Sequence, residues 1–205
     1  MINAKDNKDN SEYSQEMREK TDQEIVEISK SDPEFFGLIM ERYKNPLFFY
    51  IKRISQFSNE DAEDILQEVF IKAYTHINGY DTSLKFSSWI YRIAHNHVVD
   101  NFRKLSSRPR TTAIEDEDIA KIFKSDIDIE KDLHNKENME RIRESIKKMP
   151  IKYREVLVLR FLEDKSYEEI MDILKRPKGT VATLLARGRK ILEKDLKSNN
   201  IKLNT

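Results

Sequence analysis

Cysteine is absent from the 205-residue chain, and glycine (4), proline (5) and tryptophan (1) are scarce. Without cysteine, the chain has neither disulfides nor thiolate metal sites. So few glycines and prolines argue against a sheet-rich fold with many tight turns. No apolar run approaches the roughly 20 residues of a membrane span, and the polar start does not resemble a signal peptide. We therefore expect an all-α protein of the cytoplasm, with no direct insertion into a membrane.

Charge is balanced overall but uneven along the chain. The sequence has 37 basic and 37 acidic residues, so its formal net charge is zero. Residues 141–205 nevertheless carry 17 basic and 9 acidic residues, whereas residues 105–140 carry 6 basic and 10 acidic residues. The basic block either binds a polyanion or forms a solvated, lysine-rich surface, and charge alone does not choose between them.

Helical periodicity and capping signals divide the chain into two helical regions. Thr21 with Glu24, and Asp32 before Pro33, are signals for helix starts. Apolar spacing predicts helices at 33–43, 46–56, 60–75 and 86–104, and then at 136–147, 151–162, 167–174 and 178–196. The acidic, proline-containing stretch between the two groups is typical of a flexible linker. The predicted organisation is two small helical domains, with these bounds: a polar tail with a short helix (1–32), a first domain (33–104), the linker (105–135), a second domain (136–197) and a C-terminal tail (198–205).

The stretch SYEEIMDILKRPKGTVATLLARGRKIL (166–192) has the pattern of a helix-turn-helix. Ser166 and Glu169 form a capping box for a short helix, and KRPKG ends it before a second helix begins. The second helix is apolar on one side and small or basic on the other, as suits a helix that enters the major groove of DNA. An ordinary helical hairpin with a basic outer face is the alternative. The predicted DNA-contacting residues are Lys178, Thr180, Ala182, Thr183, Arg187 and Lys190.

A second amphipathic stretch is NEDAEDILQEVFIKAY (59–74), in which a helical wheel separates a buried arc from an outer arc. The outer arc carries Asp64, Gln67, Glu68 and Ile71. An isolated exposed isoleucine is ordinary, and the arc would also serve as a solvated acidic face. Its position among acids and an amide also suits contact with a basic partner surface.

The stretch FSSWIYRIAHNHVVDNFRK (86–104) holds the single tryptophan, Trp89. As a helix it places Asn96 on the solvent side with Arg92 and Arg103 nearby, and Trp89 at the edge beside the loop 77–85. An exposed amide with flanking cations and nearby aromatics suits single-stranded nucleic acid. Core packing is the alternative role for Trp89.

The two histidines of the same stretch do not predict a metal site. His95 and His97 are two positions apart, and each position turns a helix by about 100°, so their side chains point away from each other. We predict no metal, no cofactor and no catalytic group, and we expect that the chain is not an enzyme.

These motifs, in this order, resemble those of bacterial RNA polymerase sigma factors of the sigma-70 family, in particular the extracytoplasmic-function (ECF) group. The resemblance spans roughly residues 33–196 and is carried by DAEDILQEVFIKAY (61–74), FSSWIYRIAHNHVVD (86–100), KMPIKYREVLVLRFLEDKSYEEI (148–170) and GTVATLLARGRKIL (179–192). It implies a factor that binds core RNA polymerase, recognises the minus-thirty-five and minus-ten promoter elements and promotes DNA melting. It also implies restraint by an anti-sigma factor.

The resemblance assigns roles to individual residues. It implies binding of core polymerase by Asp64, Gln67, Glu68 and Ile71, and of the minus-thirty-five duplex by the second helix of the helix-turn-helix. It implies binding of the unpaired minus-ten strand by Tyr80, Asp81, Lys85, Phe86, Arg92, Asn96 and Arg103.

Two departures from the family pattern are visible. Arg92 and Ile93 stand where primary sigma factors have a tandem tryptophan pair, and Ala182 and Leu184 stand where relatives commonly have basic residues.

Two other functions also fit parts of the chain. One is a stand-alone helix-turn-helix regulator, which needs only the C-terminal block; the other is an adaptor whose C-terminal block binds protein rather than DNA.

Overall fold

The computed structural model describes residues 19–105 and 136–198, and these two ranges contain helices and no strand. The expected all-α fold is therefore confirmed. Most of the predicted N-terminal tail (1–18), most of the predicted linker (106–135) and the final residues (199–205) lie outside the described residues. Within the described ranges, no helix combines the length and the apolar character needed to cross a membrane.

The helices form two lobes. The N-terminal lobe (residues 19–105) contains α1 (Asp22–Ser31), α2 (Phe36–Ser55), α3 (Asn59–Thr75) and α4 (Phe86–Leu105). The C-terminal lobe (residues 136–198) contains α5 (Lys136–Lys148), α6 (Ile151–Leu157), α7 (Tyr167–Leu174) and α8 (Lys178–Ser198). Short 3₁₀ helices precede α2 at Pro33–Phe35 and follow α3 at Ile77–Gly79.

Two helix starts follow the capping boxes of the sequence. The hydroxyl of Thr21 accepts a hydrogen bond from the backbone N–H of Glu24 (3.3 Å), and the Glu24 carboxylate accepts one from the N–H of Thr21 (2.7 Å). Ser166 and Glu169 make the same reciprocal pair at the start of α7, at 3.2 and 2.9 Å. Each pair satisfies backbone donors that a helix start leaves unpaired, so α1 and α7 begin where the sequence predicts.

The sequence predicts a break between the helices 33–43 and 46–56. This prediction is wrong, because the single helix α2 continues through Pro46. A proline inside a helix removes a backbone hydrogen bond and costs about 3 kcal/mol. Tyr43, Leu47 and Tyr50 flank Pro46 and are all buried. Their packing on both sides of the proline offsets the local cost, so tertiary contacts override the local signal.

Close packing of α6 against α8 organises the C-terminal lobe. A Cβ atom added at Gly188 would lie 3.1 Å from Cδ1 of Leu157, so a larger residue there would require the Leu157 side chain to shift. Next to this contact, α6 changes into a π-helical turn, Val158–Leu162, which ends with a hydrogen bond from the Glu163 N–H to the Val158 carbonyl (3.0 Å). The predicted helix 151–162 is thus α-helical only to Leu157.

The two lobes pack against each other, chiefly through α4 and α7. Across this interface, Arg53 forms an ion pair with Glu163 (2.5 Å), and the Arg154 guanidinium donates to the backbone carbonyl of Ile54 (3.0 Å). The sequence predicts two domains on a tether but contains no signal for this contact.

Candidate nucleic-acid and protein interfaces

The outer face of α3 is exposed as the helical wheel predicts. Asp64, Gln67 and Glu68 are exposed, and the side chain of Ile71 is 64% exposed. The opposite arc of α3 is fully buried in the lobe, and its members are Ala62, Ile65, Leu66, Val69, Phe70 and Ala73. The structure therefore leaves the α3 outer face (Asp64, Gln67, Glu68 and Ile71) open to a partner.

An apolar groove between α2 and α3 extends this face. It is an open groove of about 710 Å³, and its exposed apolar side chains are Met40, Ile71 and Tyr74. Sequence reasoning missed it, because Met40 has the spacing of a core residue on its own helix. Only the packing of α2 against α3 shows that Met40 reaches the same surface as Ile71.

The loop before α4 presents only part of the residue set predicted for the minus-ten strand. Asp81 and Lys85 are exposed. Hydrogen bonds from the Ser83 side chain and then from the Ser83 backbone N–H (2.9 Å) hold the pKa of Asp81 below its ordinary value. Tyr80 and Phe86 are only 5% and 1% exposed. Rings this deeply buried are not exposed to a base in this arrangement, so contact of Tyr80 and Phe86 with the unpaired strand stays a prediction.

The buried rings instead form an aromatic cluster beneath the loop. Phe86 lies with its ring centroid 5.4 Å from that of Tyr80, 5.5 Å from that of Trp89 and 5.7 Å from that of Tyr43. Trp89 is itself buried, so core packing is its role here rather than an exposed edge. The cluster joins α2, the loop and α4, and it supports the segment from residue 80 to residue 85, which we name the capture loop.

On α4 itself the predicted polar face is present. Asn96 is exposed and Arg92 is partly exposed, one turn apart on the same side. Arg103 lies near the end of α4. An exposed amide and a partly exposed guanidinium therefore lie farther along the same side of α4 as Trp89, seven and three positions after it.

The histidines on α4 contact different groups. His95 is buried, with Nδ1 3.2 Å from the Tyr50 hydroxyl oxygen, whereas His97 Nε2 contacts the Glu68 carboxylate of α3. Within the described residues, no group of three His, Cys, Asp or Glu side chains is placed to hold a metal ion.

On α8, the second helix of the predicted helix-turn-helix, the apolar arc is buried and the predicted contact face is open. Lys178 and Lys190 are exposed, and the remaining members of that face are partly exposed, namely Thr180, Ala182, Thr183 and Arg187. Thr183 donates its hydroxyl to the Gly179 carbonyl (2.8 Å), which leaves its methyl group available on the surface. Small side chains in the middle of the face and cations at its two ends fit a groove with phosphates on each side.

Between the lobes lies a buried polar cluster that sequence reasoning missed. The Glu155 carboxylate is 2.7 Å from the Arg176 guanidinium and 3.7 Å from Nε2 of His95. Burial raises the pKa of Glu155 to about 7, although Arg176 opposes that shift, and burial followed by the Arg176 charge lowers the pKa of His95 to about 4. His95 is therefore neutral at pH 7, and its contact with Glu155 is not an ion pair.

A second interlobe carboxylate, Glu163, accepts hydrogen bonds from Arg53 (2.5 Å) and from the Tyr91 hydroxyl (2.8 Å). Burial raises the pKa of Glu163, against the opposing effects of Tyr91 and Arg53. Lys85 of the capture loop lies 3.4 Å from Glu169 in α7. One residue of the predicted DNA set is thus already engaged by the C-terminal lobe.

Family models match both lobes of the chain. Sigma-70 region 2 matches residues 39–108 and Sigma-70 region 4 matches residues 139–192. The ECF RNA polymerase sigma factor SigW of Bacillus subtilis is 35% identical over 84% of this chain and 95% of that protein. The ECF RNA polymerase sigma-E factor of Escherichia coli is 32% identical over 84% of this chain and 93% of that protein.

Solved structures show the same fold. CnrH, in complex with the cytosolic domain of CnrY, matches with a TM-score of 0.63 and 20% identity over 87% of this chain and 98% of its own. The sigma factor RpoE of Bartonella quintana, in complex with the anti-sigma factor NepR, matches with a TM-score of 0.58 and 19% identity over 79% of this chain and 96% of its own. On the strength of both family models and these relatives, the chain belongs to the sigma-70 family, as an ECF RNA polymerase sigma factor that acts in transcription initiation.

Proposed function

We propose that this sigma factor docks on core RNA polymerase through the α3 outer face, holds the unpaired minus-ten strand with the capture loop and α4, and contacts the minus-thirty-five duplex with α8. The observation that carries the proposal is Ile71, which is exposed among Asp64, Gln67 and Glu68 beside an apolar groove. A regulator that only binds duplex DNA has no use for this surface, whereas a protein interface combines an apolar centre with a polar rim.

The proposed mechanism uses binding energy rather than bond chemistry. In this proposal the exposed Asn96 and the partly exposed Arg92 would contact an unpaired strand, whereas α8 would contact duplex DNA. A protein that binds the melted state more tightly than the duplex shifts the equilibrium towards melting by that difference in affinity. Sequence recognition would thus be supplied to an enzyme that performs the polymerisation.

Simultaneous contact with both promoter elements requires the lobes to separate. The positions of the two elements differ by about 25 base pairs, or about 85 Å of duplex at 3.4 Å per base pair. A compact body of the size described here has a radius of gyration of about 15 Å and is therefore about 40 Å across. The lobes as packed cannot span that distance, so the contacts of Glu163 and Glu155 across the interface would break when the promoter is bound.

An anti-sigma protein is a second proposed partner. The two structural relatives described above are complexes, one with CnrY and one with the anti-sigma factor NepR. The groove with Met40, Ile71 and Tyr74 would accept an amphipathic helix of such a protein. Because Ile71 also belongs to the α3 outer face, binding of the inhibitor and of core polymerase would be mutually exclusive.

The docking surface is tested by an Asp64→Ala, Gln67→Ala double variant. Both side chains are exposed, so the fold should survive, and affinity for purified core polymerase should fall about 10- to 100-fold, the range of interface residues that matter. Glu60→Ala, an exposed carboxylate one turn earlier on α3, is the matched control and should bind normally. Unchanged affinity of the double variant for core polymerase would contradict docking through the α3 outer face.

A further inference from the structure

Helix α1 lies outside the matched region 2 segment, which begins at residue 39, yet it is built into the lobe. Ile25, Val26 and Ser29 of α1 are buried. The helix packs mainly on α2, and it also contacts α4 and the 3₁₀ turn Ile77–Gly79 that leads into the capture loop. Its position therefore connects it to the segment proposed to hold the minus-ten strand.

Asp22, the first residue of α1, attaches this helix to α2. One carboxylate oxygen of Asp22 accepts a hydrogen bond from the Arg42 guanidinium (2.7 Å), and the other accepts one from the Tyr43 hydroxyl (2.5 Å). Arg42 also donates to the backbone carbonyl of Lys20 (2.6 Å). Burial, followed by the bond to Asp22, raises the pKa of Tyr43 above its ordinary value, so the hydroxyl keeps its proton and remains a donor.

Tyr43 transmits this attachment to the capture loop. Its ring meets the ring of Phe86 edge-on at 5.7 Å, and Phe86 in turn meets Tyr80 edge-on at 5.4 Å. The Tyr80 hydroxyl donates to the backbone carbonyl of Leu84 (2.5 Å), which closes the loop on itself.

We propose that α1 is a brace for the capture loop, and that Asp22 is a positioning residue that acts through Tyr43 to hold residues 80–85 ready for the unpaired strand. This inference rests on the proposed function of the loop. Fixing the backbone of one flexible residue costs about 1–2 kcal/mol in conformational entropy at 25 °C. A loop that is ordered before binding avoids that cost, so its affinity for the strand is higher.

The test uses full-length Asp22→Asn and Tyr43→Phe variants bound to core polymerase. Both changes are nearly isosteric and keep the buried ring, so the lobe should fold. The probe is a labelled single-stranded oligonucleotide that carries the minus-ten non-template strand of a promoter selected by the wild-type holoenzyme from a randomised library. Each variant should bind the oligonucleotide about tenfold more weakly, because each loses one hydrogen bond to a charged group. The double variant should bind no more weakly than the single variants, because both changes remove the same interaction.

Two controls separate a positioning role from a structural one. Glu34→Gln makes the same charge change at an exposed site of the same lobe and should leave oligonucleotide binding unchanged. Affinity for core polymerase should be unchanged in Asp22→Asn and Tyr43→Phe. A parallel loss of core binding would overturn the proposal, because the contact would then maintain the lobe rather than the loop.

Asn96→Ala, measured with the same oligonucleotide, distinguishes failure of the brace from failure of the proposed function. If Asn96→Ala weakens binding and neither Asp22→Asn nor Tyr43→Phe does, the brace is wrong. If Asn96→Ala has no effect, strand capture by this surface is wrong, and the brace loses its basis with it.

Discussion

The two lobes are both helical, but their cores are built from different side chains. Among the described residues, the buried apolar set of the N-terminal lobe includes eight aromatic residues, and that of the C-terminal lobe includes only Phe161. The C-terminal lobe instead relies on aliphatic side chains and on the close approach of α6 and α8 at Gly188.

The difference follows from what each lobe has to position. Under the proposed function, the C-terminal lobe has to present only the helix α8 to duplex DNA, and α8 packs against α6 and α7 through aliphatic side chains. The N-terminal lobe must also fix a loop, whose backbone has no helical hydrogen bonds. Tyrosines such as Tyr43 and Tyr80 combine a packed ring with a hydroxyl that donates to a carboxylate or a carbonyl, so they can hold a loop in place.

The largest effect is expected from Phe86→Ala, which removes one ring of the aromatic cluster and so tests whether this cluster organises the N-terminal lobe. Removal of a fully buried aromatic ring costs about 3–5 kcal/mol of unfolding free energy. Phe49→Ala, at a half-exposed ring of the same lobe, should cost less than about 1 kcal/mol. Urea denaturation followed by circular dichroism measures both. Equal costs would mean that the aromatic cluster does not organise the N-terminal lobe.

The C-terminal lobe is tested by a triple alanine variant at Lys178, Arg187 and Lys190. If each residue neutralises one phosphate, the slope of log affinity against log salt for duplex promoter DNA should fall by about 2.7. A Lys194→Ala, Lys197→Ala variant changes two exposed lysines near the end of α8 and should leave the slope unchanged. Loss of affinity for one sequence only would show base reading instead, and it would refute the phosphate assignment.

The interface between the lobes has a pH dependence with a defined sign. Burial raises the pKa of Glu155 from 4.5 to about 7, so the folded protein loses stability as pH rises from 4.5 to 7. Burial lowers the pKa of His95 from 6.5 to about 4, so the folded protein loses stability as pH falls from 6.5 to 4. Where these pH ranges overlap, the two effects cancel. Burial raises the pKa of the Tyr50 hydroxyl, which faces the pair, so it keeps its proton there.

We therefore expect this pair to add almost no pH dependence to the unfolding free energy of the wild type between about pH 4.5 and 6.5. In Glu155→Gln only His95 of the pair titrates, and the unfolding free energy relative to that of the wild type should fall by up to about 3 kcal/mol as pH drops from 6.5 to 4. In His95→Gln the fall should instead occur as pH rises from 4.5 to 7. Chemical denaturation across this range measures all three proteins, and identical profiles would contradict the buried pair.

Local sequence signals predict most of the helices and the exposed faces. Capping residues such as Thr21 and Ser166 satisfy backbone donors next to them in the chain, and the arcs of α3 follow from a 3.6-residue period. These features depend on neighbours within one or two turns, so a single sequence is enough to find them.

The features that the sequence does not reveal depend on distant residues. The burial of Tyr80 and Phe86 is set by packing against α2 and α4, and Pro46 stays within a helix because of packing on both of its sides. The pairs Arg53–Glu163 and His95–Glu155 join residues far apart in the chain. No periodicity links such residues, so the interlobe contact could be found only in three dimensions.

The most direct test of the account combines binding to core RNA polymerase with run-off transcription from a promoter library. The account predicts that the purified protein is retained by core polymerase and that transcripts start from a defined subset of promoters only when it is added. Retention of duplex DNA by the protein without binding to core polymerase and without promoter-dependent transcripts would contradict it, and it would leave the exposed Ile71 and Asn96 faces without a function.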